Sequence, residues 1–150
     1  MYIQRIQKNS ENQISIIDMS KCIIIPAFNE YENINLLLSE INKNDFKDLT
    51  IIIVDDSDES FEKKIDIQKD KVIYLYRGKK LGRGSAILYG IKYALEHFDN
   101  IDLFIEMDAD MSHNPNELKR NFFFFNEKNL DLLISSRYKK KSKIINWPLK

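Results

Sequence analysis

Short, unbroken apolar runs alternate along this chain with segments whose apolar residues recur every three or four positions. KCIIIP (Lys21–Pro26), LTIIIVDD (Leu49–Asp56), VIYLY (Val72–Tyr76), IDLFIEM (Ile101–Met107) and LDLLIS (Leu130–Ser135) form the first set. Continuous rather than alternating apolarity is what a strand covered on both faces requires, so each is expected to be a buried strand. Between them, Ile34, Leu37, Leu38 and Ile41 mark one face of a helix. Asn29 is expected to cap it, with Glu32 completing a capping box. A second helix carries Ile87, Ile91, Ala94, Leu95 and Phe98 on one face. A third opens at NPNE, with Asn114 as cap, Pro115 in the first turn and Glu117 reaching back. Leu118, Phe122 and Phe125 form its stripe; the consecutive phenylalanines Phe122 to Phe125 cannot all face one core, so one or two are expected outside. DESFEKKIDIQKDK reads as one short helix. This alternation implies an α/β fold, a mostly parallel sheet with helices on both faces.

With 150 residues and 43% hydrophobic content, the chain can bury one core. Residues 1–20 are polar and mixed, without the apolar centre of a signal peptide, and read as a partly ordered leader before a domain at 21–150. Positive and negative side chains balance at 23 each, which argues against a nucleic-acid partner held by overall charge. The single Cys22 lies in an apolar run; it excludes a disulfide framework and reads as a small buried hydrophobe in a reducing compartment. No apolar run approaches the ~20 residues that span a bilayer. The expected place is the cytoplasm, free or peripheral on the cytosolic face of a membrane. The tail RYKKKSKIINWPLK has six cations and no acid. Beside Ile144, Ile145, Trp147 and Leu149 these suit an anionic membrane surface, at about 1 kcal/mol per cation; a solvated terminus is the competing account.

In open parallel sheets, ligands bind beyond the carboxyl ends of the strands. Those ends here are followed by PAFNE, DDSDES, RGKKLGRGS, DADMSH and SRYKKKSK. Carboxylates, glycines and cations on one rim suit a phosphorylated ligand with a divalent ion. Asp108 and Asp110 stand at i and i+2 as the chain leaves a strand. Left uncompensated, the two would repel each other and raise a pKa. Mg²⁺ or Mn²⁺ would remove that conflict, taking one or two carboxylates and phosphate oxygens. The plainer alternative is a turn that caps the next helix. For Asp55 and Asp56 a turn with Ser57 is as good a reading as a contact to ribose or base. Gly82-Arg83-Gly84 only partly matches a dinucleotide fingerprint, because Ile87 holds the third glycine position. Gly78, Gly82 and Gly84 would equally allow a flexible loop near a pyrophosphate. His97 and His113 read as solvated or capping residues.

Taken in order, PAFNE, VDDSDES, GKKLGRGSA, MDADMSHNP, SSRY and NWPLK resemble the dolichyl-phosphate (polyprenyl-phosphate) mannose synthase branch of the family-2 glycosyltransferases, from about Lys21 to Lys150. The resemblance implies a GT-A type nucleotide-binding sandwich and an inverting transfer of a hexose. Mannose from GDP-mannose is the favoured donor and a polyprenyl phosphate the acceptor. Pro26, Phe28 (where a tyrosine is usual) and Glu30 would line the nucleotide pocket, and Val54 and Asp56 would hold base and ribose. Asp108 and Asp110 would be the metal-binding DxD, with Ala109 against the nucleotide sugar. Ser112 stands where some members place a further metal ligand. Arg137 would contact the diphosphate or the acceptor phosphate, so Asp110 and Arg137 are the implied catalytic residues. KKKSK replaces the glycine-rich stretch usual after SRY. Members normally continue past NWPLK, so the resemblance implies that the C-terminal part of the domain is missing. A UDP-sugar-dependent relative with another acceptor and a non-catalytic nucleotide-binding remnant are the alternatives.

Overall fold

The computed structural model describes residues 1–6, 19–65, 72–136 and 138. Six strands form one sheet: β1 (Tyr2–Arg5), β2 (Lys21–Ala27), β3 (Leu49–Asp55), β4 (Val72–Tyr76), β5 (Leu103–Glu106) and β6 (Leu132–Ile134). Their order is β4-β3-β2-β5-β1-β6. β2, β3, β4 and β5 run parallel, whereas β1 lies antiparallel between β5 and β6. The helices are α1 (Tyr31–Asn42), α2 (Arg83–His97) and α3 (Leu118–Glu127). This is the mostly parallel α/β architecture that the pattern predicts.

The period of two along each strand divides the core. Ile23, Ile25, Ile51 and Ile53 face one side, where they join Ile34, Leu37 and Ile41 of α1 and Leu118, Phe122 and Phe125 of α3. Cys22, Ile24, Ile52 and Val54 face the other and join Ala86 and Ala94 of α2. Each fully buried isoleucine contributes roughly 1.5–3 kcal/mol, so both layers are needed to hold the rim in place. Cys22 behaves as expected: burial pushes its thiol up to about 12.

Several local expectations are corrected. Tyr2–Arg5, read as part of a leader, is a strand inside the sheet, and Ile3 is buried in the core. Asn29 does not cap α1. It takes a left-handed backbone (φ 58°), and its N–H donates to Ser57 Oγ at 2.7 Å, tying the loop to the end of β3. Asparagine tolerates that conformation better than most residues. Glu30 holds the cap position, without a side-chain cap. On α2 the buried residues are Ala86, Gly90 and Ala94, while Leu95 is exposed. A Cβ on Gly90 would lie 2.8 Å from Ile24 Cγ2 and 3.1 Å from Val54 Cγ2, so only the small side of α2 can approach the sheet. Asn114 caps as expected, accepting from Asn116 N at 3.0 Å, but Pro115–Glu117 is a 3₁₀ turn and the α-helix begins at Leu118. Glu117 pairs with Arg120 rather than reaching back. Phe123 and Phe124 are the exposed phenylalanines. Of the segment after Asp58, Glu62–Lys64 forms a 3₁₀ turn, and residues 66–71 lie outside the described ones.

Candidate functional site

Because β2 to β5 run the same way, their carboxyl ends open onto one rim. A cavity of about 370 Å³ lies there, within the range of small-molecule sites. β2 delivers Pro26, Ala27, Phe28 and Glu30 to it, β3 delivers Asp56, and β5 delivers Asp108, Ala109 and Asp110. Lys80, Gly82, Arg83 and Ala86 come from the loop after β4 and the start of α2. Gly82, at the cap of α2, has φ 92°, a backbone that glycine adopts without strain. Lys80 Nζ lies 4.3 Å from the centre of the Phe28 ring.

The acidic pair after β5 shares this cavity, but it is not uncompensated as the sequence suggests. Arg83 Nε donates to Asp108 Oδ1 at 2.8 Å, and Arg83 Nη2 donates to Glu106. The N–H of Asp108 donates to His113 Nδ1 at 3.0 Å, and burial lowers the pKa of that histidine. Asp110 is exposed, and its Oδ1 accepts from Ser112 N at 2.9 Å. A left-handed Met111 (φ 62°) turns the chain there.

The pair after β3 is held differently. Asp55 is wholly buried, accepting from Ser57 N at 2.9 Å and Ser57 Oγ at 2.5 Å and from the Tyr74 hydroxyl. Burial and that carboxylate push Tyr74 up to about 12. Asp56 takes a two-pronged contact from Arg77, Nε at 2.6 Å and Nη2 at 2.8 Å, and another from Leu81 N at 2.9 Å. Burial alone would raise the Asp56 pKa; the Arg77 and Leu81 bonds outweigh it and hold it below the usual carboxylate range. Arg77 also donates to Ser85 Oγ at 2.9 Å, so this network fixes the β4–α2 loop that carries Lys80 and Arg83.

The family model for glycosyl transferase family 2 matches residues 22–150. The chain belongs to glycosyl transferase family 2. It is 36% identical over 135 residues to a dolichol-phosphate mannosyltransferase of Pyrococcus furiosus, covering 87% of this chain and 36% of that protein. It is 32% identical to a polyprenol monophosphomannose synthase of Mycolicibacterium smegmatis, covering 84% of this chain and 48% of that one. An undecaprenyl-phosphate mannosyltransferase of Micrococcus luteus is also 32% identical, with 83% and 51% covered. The chain thus spans between a third and about half of the length of these relatives.

Of the residues that the sequence singles out, the family-2 fold brings Pro26, Phe28, Glu30, Asp56, Asp108, Ala109 and Asp110 to one cavity. Val54 is fully buried among Ile24, Ile52 and Ala86, beneath the cavity rather than on its wall. Ser112 is exposed and meets Asp110 through its backbone N–H, not its hydroxyl. Arg137 and residues 139–150, with the basic tail, lie outside the described residues. Lys80, Arg83 and Arg77 were not singled out. Their signal was the cation content of RGKKLGRGS at a strand end. Asp108 and Asp110 are the residues that could hold a hard divalent cation. Among the described residues no group of three or more His, Cys, Asp or Glu is placed to do so. Two carboxylates nevertheless fit Mg²⁺ or Mn²⁺, which commonly completes its shell with water and substrate phosphate. No helix among the described residues is long and apolar enough to cross a membrane.

Proposed function

We propose that the cavity binds a nucleotide sugar with Mg²⁺ or Mn²⁺, and that the protein transfers a hexose from it to a polyprenyl phosphate. GDP-mannose is the favoured donor, with inversion at the sugar. The observation that carries this reading is the meeting of Asp108 and Asp110 with Lys80 and Arg83 on one cavity beyond the parallel strands. Carboxylates alone would suit a cation and cations alone an anion; both together suit a metal diphosphate. The names of the relatives support mannose as the sugar and a polyprenyl phosphate as the acceptor class.

The acceptor phosphate has a second pKa of about 6 and is largely dianionic at neutral pH. It needs little help from a general base. The demand on the protein is to stabilise the departing nucleoside diphosphate. A divalent ion held by Asp108 and Asp110 would act there as a Lewis acid. Lys80 and the start of α2 contribute fixed positive potential, and Arg137 is assigned a phosphate contact of the same kind. Phe28 and Glu30 are assigned to the nucleotide, with Asp56 and the buried Val54 shaping its seat. The tail's cations and Trp147 are assigned to an anionic membrane surface on the cytosolic side.

Titration calorimetry with Mn²⁺ and a panel of GDP- and UDP-sugars tests this. The expected outcome is Mn²⁺-dependent binding of GDP-mannose that Asp110→Ala abolishes. Affinity unchanged by Asp110→Ala would remove the assignment, and tighter binding of a UDP-sugar would replace the donor.

A further inference from the structure

Arg83 is the first residue of α2 and faces the cavity. Its guanidinium bridges two carboxylates at the end of β5, Asp108 at 2.8 Å through Nε and Glu106 through Nη2. The two legs of this bridge differ. The Glu106 side chain is 17% exposed, that of Asp108 30% and that of Arg83 48%. A more buried carboxylate loses more when its partner leaves, so Glu106 is the anchor and Asp108 the exchangeable end. The side chain that exchanges is itself half in solvent and has room to move.

We propose that Arg83 is a resident counter-ion of the acidic pair, one that a divalent cation displaces from Asp108 and that then serves the diphosphate. This rests on the cavity reading given above. In the free protein the guanidinium relieves the repulsion between Asp108 and Asp110 without any metal. A cation arriving at Asp108 competes for the Oδ1 oxygen that Arg83 holds, and meets a like charge beside it. A nucleoside diphosphate reverses the balance, because its oxygens accept the guanidinium that the cation releases. Metal and nucleotide are thereby coupled through Arg83, and linkage makes that coupling reciprocal. The bare metal site is weak and the metal-nucleotide site strong, so the cation is held chiefly when a donor is present.

The test is titration of Mn²⁺ into the full chain and into Arg83→Gln, each with and without saturating GDP, with folding checked by circular dichroism. Without GDP, Arg83→Gln is expected to bind Mn²⁺ on the order of tenfold more tightly, within the usual span of coupling between sites. The enhancement that GDP gives to Mn²⁺ affinity should shrink by the same factor. Arg83→Lys keeps the charge but cannot fork across two carboxylates; it should fall between the two and carries the test should Arg83→Gln not fold. Equal Mn²⁺ affinity and equal GDP enhancement in all three chains would remove the role of Arg83 and leave the cavity reading standing. Mn²⁺ bound by none of them, with or without GDP, would remove both.

Discussion

Two pairs of aspartates leave parallel strands on either side of β2, and they are held in opposite ways. Asp55 and Asp56 follow β3 and are both buried, held by contacts that include Ser57, Tyr74, Arg77 and Leu81. Asp108 and Asp110 follow β5 and stay partly or fully open, separated by a buried Ala109. A carboxylate whose oxygens are already satisfied by buried donors cannot take a ligand without losing them, at about 1–3 kcal/mol for each group left unpaired. On the proposed reading, the first pair builds the rim and the second serves the ligand. Exposure, not the presence of two acids, separates the two pairs.

The sharpest way to break this comparison is to remove one charge from each pair and ask which property fails. Asp110→Asn should lower turnover on a polyprenyl-phosphate acceptor by on the order of 10²–10³, the usual cost of one preorganised electrostatic group, with the unfolding midpoint unchanged. A large loss of stability with normal turnover would invert the assignment of this pair. Asp55→Ala should do the opposite. It strands the Tyr74 hydroxyl and the Ser57 donors, for a loss of about 3 kcal/mol measured by urea unfolding. Tyr74→Phe takes away only one end of that network, although its hydroxyl also accepts the Phe61 N–H at 3.0 Å. It should cost about 1–2 kcal/mol by the same measurement. A cost equal to that of Asp55→Ala would place the network's weight on the tyrosine instead.

β2 and β3 were legible because burial on both faces writes itself as unbroken apolar runs, KCIIIP and LTIIIVD. By contrast β6, expected to be buried as well, leaves Leu132 and Ile134 exposed. β1 was not legible, because YIQR puts one fully buried isoleucine among polar residues and leaves no periodicity to read. The stripe of α2 was legible in part: Ala94 is buried and Ile91 and Phe98 pack against the core, but Leu95 is exposed. Close packing on Ile24 and Val54 selects Gly90, Ala86 and Ala94, while larger apolar residues mark the sides of the helix. At the site, DAD and PAFNE were legible because their meaning is local: a short turn at a strand end. Arg83 was invisible as a partner of Asp108, since the two meet across 25 positions of sequence. Asp55 and Asp56 are the same letter twice, and what separates them arrives from β4 and its following loop.

Asp56 offers the finest test of the contrast, through pH. Its folded-state pKa lies below the ordinary value of 3.8, because the bonds from Arg77 and Leu81 overcome the opposing effect of burial. A carboxylate whose pKa is lowered by folding contributes stability that is complete above its unfolded value and is lost as pH falls through the folded one. The stability gap between wild type and Asp56→Asn should therefore stay constant from neutral pH down to about the unfolded carboxylate value. Below that it should narrow, as acid removes the charge that the variant never had. Urea unfolding of both chains between neutral pH and the acid limb measures it. A gap that does not narrow in acid would mean that the Arg77 contact stabilises no charge, and Asp56 would then join Asp110 as a carboxylate kept for the ligand.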